Sequence, residues 1–119
     1  MKLVIGGSGA GKLDFVKSEL GYRDGEISDA VLDGRPVLYN LQDLVRKDAC
    51  AWEGLLPLLR DKEVVVCDEV GCGVVPMSAP DREYREAVGR LSTRLAAAAT
   101  EVIRVYCGIP VYIKGGEVS

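Results

Sequence analysis

The chain has 119 residues, 48% of them hydrophobic and 28% charged, with a formal net charge of −3 and no histidine. That size and balance fit a single globular domain over residues 1–119, large enough to bury a core. The acidic charge argues against a general nucleic-acid binder. No apolar run approaches membrane-spanning length, and the N-terminus lacks a signal-peptide pattern, so the expected address is cytoplasmic, with no membrane partner.

The chain opens on Lys2-Leu-Val-Ile5, a short apolar run that ends in glycines and reads as a strand buried on both faces. Gly6, Gly7, Ser8, Gly9, Ala10, Gly11 and Lys12 then fit G-x-x-x-x-G-K, a loop whose backbone amides cradle phosphate. The glycines allow turns that a side chain would forbid, and the following helix adds the positive end of its dipole. Lys12 would supply a point charge for the terminal phosphates. Leu13 stands where this pattern places a Ser or Thr hydroxyl for Mg²⁺, so the anion cradle is nearly complete and one metal ligand is missing. The competing reading is a Gly-rich strand-to-helix turn without a ligand.

A first helix over residues 11–20 turns Phe15, Val16 and Leu20 to the sheet, and Gly21 stops it. Residues 21–35 read as a loop with one short element near Ile27–Leu32. Pro36 through Asn40 form a second strand. Leu41–Val45 and Ala51–Leu59 have helical spacing, with a break around residues 47–50 and Pro57 inside the second piece. Trp52 in that amphipathic segment reads as core.

Glu63-Val-Val-Val-Cys67 is the strongest strand, and it closes on Asp68-Glu69. An apolar strand ending in acids can place a carboxylate beside phosphate-bound Mg²⁺. Asp68 is the candidate metal residue, acting through water, and Glu69 the candidate orienting group or base; Lys12, Asp68 and Glu69 are the candidate catalytic set. Two surface acids at a strand end is the alternative. Gly71–Pro76 is a loop. Ser78-x-x-Asp81 with Pro80 starts a helix to about Thr100, with Tyr84, Val88, Leu91, Leu95 and Ala98 as its apolar stripe. Glu101–Cys107 is a strand, 108–110 a turn and Val111–Lys114 a short last strand, with fraying from Gly115. The four cysteines (50, 67, 72 and 107) have no zinc-type spacing and read as buried free thiols.

Strands alternating with helices build a mostly parallel sheet covered on both faces, a three-layer α/β fold. Ligands of such sheets bind at the carboxyl ends of the strands, where the 6–12 loop and Asp68-Glu69 both fall.

The second half resembles a known family. Glu69-Val-Gly-Cys-Gly-Val-Val-Pro76, Arg82-x-Tyr-Arg-Glu86, Gly89-Arg90, Arg94-Leu-Ala96 and Gly108-Ile-Pro110 with Lys114 are similar to the adenosylcobinamide kinase/adenosylcobinamide-phosphate guanylyltransferase family, and so is the opening strand with its glycine loop. The resemblance covers residues 1–20 and about 63–115. It implies a P-loop-type fold, ATP or GTP held at Gly6–Leu13 with Mg²⁺, phosphorylation of a cobinamide hydroxyl, guanylyl transfer through a histidine, and a homo-oligomer. A corrinoid would be the second ligand. Three departures stand out. A segment between residues 20 and 36, where the family carries a further strand and its histidine, is shortened, and with no histidine guanylyl transfer by that route is not expected. Leu13 replaces the hydroxyl. The family's middle carboxylate motif falls on Val37-Leu-Tyr-Asn40. Two readings follow: a trimmed kinase, or a non-catalytic nucleotide- or phosphate-binding partner or sensor in corrinoid metabolism. The blandest option is a relic in which Lys12 pairs with Asp68 or Glu69.

Overall fold

The computed structural model describes residues 1–7, 9–47, 51–69 and 79–115. Strand β1 (Lys2–Gly6) leads into helix α1 (Lys12–Ser18), a 3-10 turn (Asp24–Glu26), β2 (Ile27–Asp29) and β3 (Val37–Tyr39). Helices α2 (Leu41–Lys47) and α3 (Trp52–Arg60), strand β4 (Val64–Asp68), helix α4 (Ala79–Ala98) and strands β5 (Glu101–Tyr106) and β6 (Ile109–Lys114) complete the order. The six strands form one sheet in the order β2-β3-β4-β1-β5-β6, all parallel except the β5–β6 pair.

Strand alternation sends the core to both faces. Leu3, Leu38, Val65, Cys67 and Val102 pack on one face against Leu41 and Val45 of α2, Leu59 of α3, and Val88, Leu91 and Leu95 of α4. Val4, Val37, Val64, Val66, Ile103 and Val105 pack on the other against Phe15 and Val16 of α1. Each fully buried aliphatic side chain contributes about 1.5–3 kcal/mol of transfer free energy, so the two clusters hold the helices to the sheet. This is the three-layer α/β arrangement that the alternation of elements predicts.

Several boundaries differ from the sequence reading. Ala98, the last residue of α4, is exposed, and the buried alanine is Ala99, just beyond the helix. The last turn is Cys107-Gly108, both at positive φ, so Ile109 and Pro110 belong to β6. Cys107 is exposed in that turn, whereas Cys67 is buried as expected. Trp52 is half-buried against the core rather than enclosed. Ser8, the break at 48–50, Cys50, Cys72, the 71–76 loop, Ser78 and the tail from 116 lie outside the described residues.

β6 is exposed along its whole length, with Ile109 at 64% and Ile113 at 58%. Among the described residues no helix is long and apolar enough to cross a membrane.

Candidate functional site

The chain leaves central β1 for the β2, β3 and β4 side of the sheet and reaches β5 on the other, so β1 sits at the topological switch point. Crevices outside strand carboxyl ends at such a point are where open α/β sheets take ligands. Register puts Gly6, the last residue of β1, directly beside Asp68, the last residue of β4. The Glu69 amide donates to Gly6 O at 2.8 Å, which fixes the start of the glycine loop against the acidic pair.

The loop is held from behind by the β5–β6 turn. The Gly108 amide donates to Ala10 O at 2.7 Å, and Gly11 adopts φ 93° close to it. A Cβ on Gly11 would lie 3.1 Å from Gly108 Cα, and one on Gly6 would meet Val105 O at 2.7 Å. Those two glycines are thus required by the fold itself. At Gly7 a Cβ would meet nothing within 4 Å, so no neighbour among the described residues explains that glycine.

Lys12 is 4% exposed, and its Nζ turns back to the loop that precedes it. It donates to Gly7 O at 2.6 Å and sits 2.7 Å from Asp68 Oδ1. An ammonium carries three donors, and these are its two partners among the described residues. The pairing of Lys12 with Asp68 foreseen in the blandest reading is therefore real, and it faces a polar cleft of about 470 Å³. Gly9, Lys12, Asp68 and Glu69 line the cleft on one side, and Tyr39, Asn40, Gln42, Asp43, Arg46 and Tyr84 on the other.

The far wall is built by hydrogen bonds that reach from β2 to β4. Asn40, at φ 60° in the left-handed region that asparagine tolerates, donates from Nδ2 to Asp29 Oδ1 at 2.8 Å. Gln42 is 6% exposed; its Nε2 donates to Asn40 Oδ1 and its Oε1 accepts from the Asp68 amide, each at 3.0 Å. Gln42 so ties the end of β4 to the end of β3. One turn on, the Arg46 guanidinium lies 4.3 Å from the Tyr84 ring centroid, a cation–π contact that holds it at the cleft wall. Burial, and then the charge of Asp68, raise the Tyr39 phenol above its usual value, so it is neutral at pH 7.

Glu69 is differently engaged. Arg104 Nη2 donates to Glu69 Oε2 at 2.8 Å, and its Nε lies 2.7 Å from Oε1. The Arg104 guanidinium also stacks 4.4 Å from the Tyr106 ring.

The donor set does not suit Mg²⁺, which wants several oxygen ligands in octahedral array. Leu13 offers none, Asp68 Oδ1 is taken by Lys12, and both oxygens of Glu69 face Arg104, so those of Asp43 and the second oxygen of Asp68 are the carboxylate oxygens at the cleft with no cation paired to them among the described residues. Among the described residues no group of three or more His, Cys, Asp or Glu could hold a metal.

The loop residues Gly6, Gly7, Gly9, Ala10, Gly11, Lys12 and Leu13 thus meet Asp68 and Glu69 at one edge, as the sequence reading anticipates, while Ser8 is not among the described residues. That reading passed over Gln42, Arg46 and Arg104. Arg104 had a signal, a charge interrupting Val102-Ile-Arg-Val105 in a buried strand. Gln42 and Arg46 are four apart on α2, which places them on one face, though nothing in the sequence says which face. A larger cavity of about 550 Å³ lies at the opposite edge of the sheet, between Leu32, Pro36, Leu58 and Lys62, and contains none of these residues.

A family model described as cobinamide kinase / cobinamide phosphate guanyltransferase matches residues 36–113. The bifunctional adenosylcobalamin biosynthesis proteins CobU of Escherichia coli K12 and Salmonella typhimurium LT2 are each 51% identical to the chain over 53 residues. Each stretch is 44% of this chain and 29% of the relative. The family match takes in Gln42, Arg46, Asp68, Glu69 and Arg104 and begins after the glycine loop, which rests on its own pattern and geometry.

Proposed function

The chain belongs to the cobinamide kinase / cobinamide phosphate guanyltransferase family, and on that premise we propose that it is a nucleotide-binding protein of cobalamin biosynthesis whose glycine loop, Gly6–Leu13, takes the phosphates of ATP or GTP. The observation that carries this is Lys12: a buried ammonium lining a polar cleft at the switch point of the sheet, with an exchangeable carboxylate as one partner. Gly7 supports it as a loop glycine whose Cβ would meet no described residue within 4 Å.

Binding without turnover is the favoured form of the proposal. Phosphoryl transfer depends on positioning and on neutralising charge, commonly by a metal. Here Leu13 removes one metal ligand, Asp68 is paired with Lys12, and Glu69 is held by Arg104 and so is poorly placed as a base. Phosphorylation of a cobinamide-type hydroxyl, the family's kinase step, is the second reading, supported by the retained loop lysine and by Asp68 at the strand end. In that reading Lys12, Asp68 and Glu69 are the catalytic residues. Guanylyl transfer through a histidine is not proposed, because the 119 residues contain none. A corrinoid would be the second ligand. The uncovered apolar edge of β6 suits association with further copies of the chain.

The test is calorimetric titration of the protein with ATP and with GTP, followed by incubation with γ-labelled nucleotide and adenosylcobinamide. Saturable binding without label transfer is expected. Label transfer to the corrinoid establishes the kinase reading instead. No binding of either nucleotide overturns both.

A further inference from the structure

Lys12 and Asp68 form an ion pair whose two members are unequally held. The Lys12 side chain is 4% exposed and that of Asp68 24%. The lysine stem packs over Gly6, where an added Cβ would lie 3.4 Å from its Cγ and Cδ. Its ammonium also donates to Gly7 O at 2.6 Å. An ammonium so enclosed needs an anion beside it, because a buried charge without a counter-charge is strongly destabilising. Asp68 is that anion, and among the described residues no other carboxylate pairs with Lys12.

Asp68 is fixed in its backbone and movable in its side chain. On one side, register sets it beside Gly6, and the Glu69 amide donates to Gly6 O at 2.8 Å. On the other side, the ladder with β3 ends at the Leu38–Val65 pair, and Gln42 Oε1 takes over by accepting from the Asp68 amide at 3.0 Å. What can move is the carboxylate, by rotation about its side-chain bonds toward the cleft that it borders.

A phosphate held by Gly6–Leu13 needs the charge that Asp68 already engages. Two anions on one ammonium repel each other at close range. Asp43 borders the same cleft, so the displaced carboxylate and the phosphate share their space with a further like charge. The exchange therefore opposes binding.

We infer that Asp68 is an autoinhibitory latch: in the empty protein its carboxylate occupies the place on Lys12 that a ligand phosphate must take over, and binding swings it aside. The inference rests on the nucleotide-binding reading and deepens it by giving the site a built-in competitor. Its two effects have opposite signs. Asp68 stabilises the empty protein, because it neutralises Lys12. It weakens ligand binding, because it has to be displaced. Removing a residue that only braces the fold would lower both stability and affinity, and removing one that holds the ligand would lower affinity.

The experiment is titration of the chain with ADP, ATP and GTP in EDTA, where no divalent metal contributes. Wild type, Asp68→Asn and Asp43→Asn are compared, with thermal unfolding of each ligand-free protein. Asp68→Asn keeps the size of the side chain without its charge. Its unfolding temperature should fall, while its affinity should rise by about tenfold or more, the size of one charge-assisted hydrogen bond that the ligand no longer has to replace. Asp43→Asn removes a charge from the same cleft without breaking the pair on Lys12, so its gain should be smaller by at least about threefold. Equal gains in the two variants would mean general repulsion and overturn the latch. Unchanged or weaker binding by Asp68→Asn beside a wild type that binds overturns it too, and leaves the nucleotide-binding reading standing. Should Asp68→Asn fail to fold, the wild type decides alone. In its crystal structure with ADP, grown in EDTA, a phosphate oxygen should stand on Lys12 and the Asp68 carboxylate should have left it. An intact Lys12–Asp68 pair in that complex overturns the latch. No binding of any nucleotide by any of the three proteins overturns the nucleotide-binding reading, and the latch with it.

Discussion

Two lysines are buried, one at each edge of the sheet, and their surroundings set a site apart from a structural post. Lys62, 9% exposed and just before β4, donates to the backbone oxygens of Asp33 and Arg35, both at 2.5 Å. Those carbonyls belong to the chain's own exposed loop, and the lysine pins residues 33–35 to the start of the strand. Lys12, just beyond the end of β1, has one such carbonyl, Gly7 O, and one carboxylate, Asp68, which borders open space. A carboxylate can yield its place to another anion, whereas a backbone carbonyl in a packed loop cannot. A buried lysine is therefore no evidence of a site; the exchangeability of its partner is. The larger cavity, at the Lys62 edge, is also lined by charges, but its lysine is turned to backbone oxygens and not to an exchangeable carboxylate.

The sharpest way to break this comparison is to remove each ammonium in turn. Lys12→Ala should reduce nucleotide affinity by about tenfold to a hundredfold, the loss of a charge-assisted hydrogen bond, as read by calorimetry. Lys62→Met should leave that affinity unchanged and instead lower stability by about 1 kcal/mol, because two part-buried backbone hydrogen bonds are lost. Urea denaturation read against calorimetry separates the two. If Lys62→Met weakens binding, or Lys12→Ala changes only stability, the distinction between the edges fails. Gly6→Ala belongs with Lys62→Met: its Cβ would meet Val105 O at 2.7 Å, and overpacking of that kind costs about 1–3 kcal/mol.

The strand between the two edges gives a smaller effect. Cys67, one residue before Asp68, is pushed up to about 12 from an ordinary 9.0, chiefly by burial. The folded chain then holds this proton where the unfolded chain has released it. Its contribution is complete below about pH 9 and is lost as pH rises toward 12, by at most about 1.4 kcal/mol per pH unit. Burial raises Tyr22, Tyr39 and Tyr84 in the same direction. Stability should therefore fall above pH 9, and fall less steeply in Cys67→Ala. Equal alkaline slopes in the two proteins would show that the thiol is not the group responsible.

The sequence carried the fold well and the site by halves. Apolar runs such as Val64–Cys67 and the helical stripe of Leu91 and Leu95 state their own period, so the layers and most elements were legible from hydrophobic spacing. The loop and the acidic pair were legible because each is contiguous in the chain. Arg46 with Tyr84, Arg104 with Glu69, and Gln42 with the Asp68 amide join residues 26 to 38 positions apart, and such pairs are fixed only by how strands order themselves in the sheet. The commitment of Glu69 to Arg104 follows from β5 lying beside β1 rather than at the edge. Glycine spacing likewise could not say which glycines serve the fold and which the ligand.

That last ambiguity yields the finest test. Gly6 and Gly11 are crowded by Val105 and Gly108, and Gly9 has a positive φ of 75°, so all three have reasons internal to the chain. Gly7 has none among the described residues: a Cβ there meets nothing within 4 Å, and its carbonyl receives Lys12. Gly7→Ala should change stability by no more than about 0.5 kcal/mol, as for an unconstrained surface position. Its methyl would still occupy the approach to the loop, so nucleotide affinity should drop by about threefold to tenfold. A variant that folds and binds like the wild type would mean that the ligand does not come against the backbone at this point, and would move the phosphate toward Arg46 and away from the glycine loop. A variant that unfolds easily would mean that Gly7, like Gly6, is there for the fold, and the argument from its empty surroundings would fail.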